Sequence, residues 1–195
     1  MNDEKIRKFL KLAGQSAADS LSTGSAELRK LGAQLLLSEV LEYVVYGLGV
    51  TPVIDGHSIT KPDDLHYETG EDAPDKLEMI DGLADVAYTM YWNSVAFGVP
   101  LEEAFELVCD NNLEKFVKLS NWNDGERELA LEEWHCCCAV SWPKEVVQVS
   151  AVKVENDFYA VGRDERGKVR KPSTYQAVDL NDLIVECPPK KQVNQ

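Results

Sequence analysis

"LRKLGAQLLLSEVLEYVV", residues 28–45, reads as one helix that is apolar nearly all round. Leu28, Leu31 and Leu35 recur at helical spacing along one face, and the next positions on that stripe are Glu39 and Glu42. An ionised carboxylate in a core is costly unless it is paired or coordinates a metal. A stripe that begins apolar and ends in two carboxylates therefore predicts a bundle helix whose far end belongs to a polar site.

The flanks fit a helical bundle. Ser25 stands where an N-cap belongs, and Gly47 and Gly49 end the pattern. Upstream, Ile6, Phe9, Leu10 and Ala13 give a short helix over Asp3 to Ala13, joined on by the link "SLSTGS". Downstream, the Pro-, Gly- and Asp-rich stretch from Thr51 to Pro74 is long for a loop, which points to a functional or mobile segment. A third helix follows in "DKLEMIDGLADVAYTMYWNSVAFG" from Asp75 to Gly98, and a fourth in "PLEEAFELVCDNNLEKF" with Pro100 and two glutamates at its start.

After Lys118 the character changes. A polar helical piece around Glu126 to Trp134 leads into short strands in "EVVQVSAVKV", "DFYAVGR" and "KVRK", divided by turns at Asn156–Asp157 and Asp164 to Gly167. The expected fold is mainly α: a helical bundle over residues 1–120, completed by oligomerisation, with a small C-terminal β-hairpin appendage over residues 121–195.

Thirty-four acidic residues against 20 basic ones give a formal net charge of −14, which repels a phosphate polymer and attracts divalent cations. Binding to DNA or RNA is therefore not expected. No run of about 18 apolar residues is present to span a membrane, and "MNDEKIRKFLKLAG" lacks the apolar core of a signal peptide, so a cytoplasmic location is expected. In that compartment the five cysteines, Cys136, Cys137 and Cys138 in a row, read as free thiols.

The third helix repeats the theme of the second. Glu78, Asp81, Asp85, Tyr88 and Trp92 follow steps of three and four residues and share one stripe. On the fourth, Leu101, Phe105 and Val108 lead to Asn112 and Lys115. Packed as a bundle, the polar ends converge. Glu39, Glu42, Asp81 and Asp85 then offer four hard oxygen ligands, with no His or Cys in the set, which favours Mg²⁺ or Mn²⁺. Lys115 is the cation for a phosphate and Asn112 a hydrogen-bonding partner, while Tyr88, Trp92 and Asn93 are either core or walls for a flat base.

"LLLSEVLEY" together with "DGLADVAYTMYWNSVAFGVPLEEAFELVCDNNLEKF" resembles the all-α nucleoside triphosphate pyrophosphohydrolases, the MazG and phosphoribosyl-ATP pyrophosphohydrolase-like superfamily, in its phage-type branch. The likeness covers roughly residues 9 to 118. Family members carry ExxE, ExxD and Asn-xx-Lys in that order; here ExxE is Glu39 with Glu42 and Asn-xx-Lys is Asn112 with Lys115, with Asp81 and Asp85 where ExxD would stand. Two departures stand out. Ser38 occupies the place of a further glutamate, and "DGLAD" replaces ExxD, which leaves Glu78 as a substitute ligand.

The resemblance implies Mg²⁺- or Mn²⁺-dependent hydrolysis of a nucleoside triphosphate to monophosphate and pyrophosphate, with Glu39 as water-activating ligand and a homodimer or homotetramer as the active form. A deoxynucleotide is the expected substrate, dGTP in a MazZ-type phage version. The tail "GKVRKPSTYQAVDLNDLI" is similar to the branch's C-terminal segment and implies substrate contacts from Lys168, Lys171 and Tyr175. The competing reading is a nucleotide sensor on the same fold that binds without turnover.

Overall fold

The computed structural model describes residues 2–136 and 140–184. Its helices are α1 (Asn2–Ala13), α2 (Ala26–Glu42), α3 (Lys76–Phe97), α4 (Leu101–Leu113) and a single turn, α5 (Glu133–Cys136). The strands are β1 (Val53–Ile54), β2 (His57–Ser58), β3 (Val117–Leu119), β4 (Arg127–Glu128), β5 (Gln148–Val154) and β6 (Asp157–Arg163). The chain divides into two units, Met1–Ala17 with Thr89–Gln195, and Ala18–Tyr88. The division falls inside α3.

The helix signals act as expected at their ends. Ser25 caps α2 by accepting from the Leu28 N–H at 3.2 Å, and Asp75 caps α3 by accepting from the Leu77 N–H at 2.6 Å. Past Glu42 the helix widens into a π-turn over Tyr43–Gly47.

A mainly α bundle with a hairpin appendage is not what forms. Helix makes up 43% of the structure and strand 13%, in two antiparallel sheets of two and four strands. In the larger sheet, of order β3-β6-β5-β4, the β5–β6 hairpin is the centre: Ala151 pairs with Ala160 and Val152 with Tyr159. Its outer neighbours come from segments of three and two residues, too short to mark a strand by alternation. Val117–Leu119 directly follows α4, and Arg127–Glu128 lies where a helical piece is expected.

This sheet carries the core. Side chains alternate across a strand, so Val149, Ala151 and Ala160 face one side, where Leu119, Leu129 and Val146 join them under Trp122, Trp134 and Trp142. Val154 and Val161 face the other side and pack with Leu12, Ala13 and Phe116. Both faces are thus covered by the chain itself. Trp142 lies so close over Gly162 that a Cβ there would stand 2.4 Å from its ring.

The unit Ala18–Tyr88 is built differently. Among its described residues Leu41 is the one buried hydrophobic side chain. Leu28, Leu31 and Leu35, expected to face a core, are exposed, as are Leu77, Ile80 and Leu83 on α3. Farther along α3, in the other unit, Val95 is 84% exposed. No helix is long and apolar enough to cross a membrane among the described residues.

Candidate functional site

Glu39 and Glu42 occupy one face of α2, one turn beyond the exposed Leu35. Both are open to solvent, and so are Glu78, Asp81, Asp85 and Tyr88 on α3. The i,i+3 and i,i+4 spacings therefore do place each pair of carboxylates together on its helix. The helices do not pack along one another, so the pairs are not gathered: among the described residues no group of three or more His, Cys, Asp or Glu stands ready to hold a metal ion. In kind the donors suit Mg²⁺ or Mn²⁺, since all are carboxylate oxygens.

Of the two positions where the expected pattern is broken, Ser38 is engaged within its own helix and Gly82 has no structural explanation. The Ser38 hydroxyl donates to the Gln34 carbonyl at 2.6 Å, a bond back into its own helix. Gly82 has open space where a Cβ would stand, so neither crowding nor a positive φ calls for glycine there.

The remaining residues expected to meet the substrate lie in the unit that holds α4 and the tail. At the end of α4 the Lys115 ammonium donates to the Asn112 side-chain oxygen at 2.5 Å and lies 5.5 Å over the Phe9 ring. Asn112 in turn donates to the Val108 carbonyl at 3.0 Å. Beside them, a slot of about 200 Å³ is lined by Phe9, Phe105, Val108 and Asn112.

The tail reaches α4 of the same chain. The Tyr175 hydroxyl donates to Asn111 Oδ1 at 2.6 Å, and Asn111 Nδ2 donates to the Gln176 carbonyl at 2.7 Å. Lys171 stacks its ammonium 4.4 Å over the Tyr175 ring. Asn111, adjacent to the recognised Asn112, is thus the tail's anchor. Its only mark in the sequence is the doubled asparagine.

The turn before the tail is braced by Asp164. Its Oδ1 accepts the N–H groups of Arg166 and Lys168, and its Oδ2 meets the Arg170 guanidinium at 2.7 Å. Burial pushes the Asp164 carboxyl up, but the two N–H groups and the guanidinium outweigh it and hold it below the usual aspartate range. Lys168 therefore enters through its backbone.

Trp92 is exposed and meets Phe97 edge-on at 6.5 Å between ring centroids. Asn93 donates to the Thr89 carbonyl at 2.8 Å. Tyr88 is exposed as well. Cys137 and Cys138 lie outside the described residues, and Cys136 is placed there by its backbone alone. Comparison of the chain with protein-family models, with curated proteins and with solved structures returns no match.

Proposed function

We propose that the protein is a metal-dependent nucleoside triphosphate pyrophosphohydrolase that works as a homodimer or homotetramer and splits a deoxynucleoside triphosphate into monophosphate and pyrophosphate. One observation carries the reading: the two helices of greatest apolar exposure each bear a pair of carboxylates, Glu39 with Glu42 and Asp81 with Asp85, on a continuous stripe. Solvated faces do not need apolar neighbours. Faces that meet other chains do, and association then surrounds the carboxylates with protein.

In this reading Glu42, Asp81 and Asp85 hold the cation, with Glu78 beside them, and Glu39 both ligates and accepts the proton of the attacking water. A bound Mg²⁺ or Mn²⁺ supplies charge neutralisation and water activation at neutral pH. Lys115 and Lys171 balance phosphate charge, and Asn112 and Tyr175 fix the residues around them. Hydrolysis between the α and β phosphates leaves the monophosphate, and pyrophosphate departs. Tyr88 and Trp92 offer flat surfaces to the base.

The Ser38 bond into its own helix favours the second reading, nucleotide binding without turnover, because no additional carboxylate stands at that position. The experiment that separates the two is product chromatography on ribo- and deoxynucleoside triphosphates with Mg²⁺, Mn²⁺ or EDTA. Monophosphate and pyrophosphate that vanish in EDTA support the enzyme. Absence of turnover from every triphosphate with either metal overturns it and leaves the binding protein.

A further inference from the structure

Residues 43–59, "YVVYGLGVTPVIDGHSI", contain one charged side chain, Asp55, in a chain that is 28% charged. They form the π-turn after α2 and the β1–β2 hairpin, whose tip turns through Asp55 and Gly56, both at positive φ. From this stretch we infer that the hairpin is an arm that seats on a second copy of this chain. The inference rests on the oligomeric part of the functional reading.

The arm is fixed at its base and carries its apolar side chains on β1, just before the tip. Asp64 accepts from the backbone N–H groups of Thr60 and Lys61 at 2.9 and 3.2 Å, and the Ile59 N–H donates to the Pro52 carbonyl at 2.9 Å, which closes the hairpin. Adjacent strand residues point to opposite faces, and Val53 and Ile54 are 61% and 60% exposed. Each face of the arm therefore presents one open apolar side chain, Val53 beside Ser58 on one and Ile54 beside His57 on the other. A two-stranded hairpin of this size is marginal in water by itself, so it needs a surface to lie on.

Charge and area identify that surface. Residues 18–88 hold 14 acidic and four basic side chains, so two copies repel each other across most of this unit. The arm is the part of it where a like-charged copy approaches with the least repulsion. Tyr46, Val50, Val53 and Ile54 together reach the few hundred Å² at which an apolar patch marks an interface. The exposed faces of α2 and α3 bring each chain towards the roughly 800 Å² that a stable interface takes from each partner. A two-fold arrangement, with each arm on the other copy's helices, uses both surfaces.

The test is sedimentation velocity of the full chain over a concentration series, beside the variant Val53→Asp/Ile54→Asp, with a photo-crosslinking residue placed at position 54 in a separate preparation. The expected result is at least tenfold weaker association for the double variant with unchanged far-ultraviolet circular dichroism, and covalent dimers from the crosslinker. Unchanged association of the double variant, crosslinks confined to one chain, or a wild type that stays monomeric would each overturn the arm. Metal-dependent turnover by a monomer would sink the arm and leave the hydrolase. Covalent dimers without any turnover would do the reverse.

Discussion

The β5–β6 hairpin and α3 are both strongly apolar stretches of regular structure, and the chain treats them in opposite ways. Val149, Ala160 and Val161 are wholly enclosed, with helix α1 on one side of the sheet and a layer of tryptophans on the other. On α3, Leu83 is 65% exposed and no side chain is buried. Apolar content alone therefore does not say where a core lies. The sheet is covered by its own chain, whereas α3 is left open to solvent, and both the functional proposal and the arm rest on that contrast.

The contrast breaks most sharply at the carboxylates. Glu39→Gln is expected to lower turnover about 10³-fold while leaving the helix content unchanged, because it removes a proton acceptor without touching a packed side chain. Single-turnover rates check this. A variant that retains full turnover would mean the α2 stripe is an interface and nothing more.

A matched pair of truncations then probes the two kinds of apolar residue. Leu12→Ala, at a wholly buried position, is expected to cost about 3 kcal/mol at any protein concentration. Leu83→Ala is expected to stay within about 0.5 kcal/mol in dilute solution, where chains are apart. At high concentration its urea midpoint should fall below that of the wild type, since association stabilises only chains that associate. Equal, concentration-independent losses would erase the distinction between sheet and helix.

Within the sheet, Gly162 tests how tightly the tryptophan layer sits. Its added Cβ would meet the Trp142 ring at 2.4 Å, so Gly162→Ala should destabilise by about 2 kcal/mol. Tyr175→Phe removes the hydroxyl that ties the tail to Asn111, with an expected cost of about 1 kcal/mol and a severalfold rise in KM. A change in KM with no change in stability would assign Tyr175 to the substrate and not to the strap.

Much of this was legible along the chain, and the failures have physical causes. The helices were marked by local chemistry: Ser25 and Asp75 cap them, and Gly98 ends α3. The β5–β6 hairpin was marked by alternation. The sheet as the seat of the core was not, because β3 and β4 are held by pairing to β6 and β5 and have little pattern of their own. Spacing correctly placed Glu39 with Glu42 and Asp81 with Asp85 on their helix faces, yet it carries no information about whether two stripes face each other. The link from Tyr175 to Asn111 spans 64 residues, and no local signal announces it.

The smallest effect lies at the edge of the sheet, where Arg127 on β4 grips Glu133 through two contacts of 2.7 and 2.8 Å and also holds Asp124 at 3.2 Å. The Arg127 guanidinium, helped by the Ala130 N–H, pulls the Glu133 carboxyl down to about 2 from the ordinary 4.5. A carboxyl that is more acidic in the folded chain contributes stability above its unfolded value, and that contribution is lost as the pH falls towards about 2. Between these values the unfolded chain takes up a proton that the folded one refuses. Urea midpoints at about pH 5 and about pH 3 should therefore differ less in Glu133→Gln than in the wild type. An identical difference in both would show that β4 is held by its backbone pairing to Ser150 and Ala151, with the ion pair a bystander at the sheet's edge.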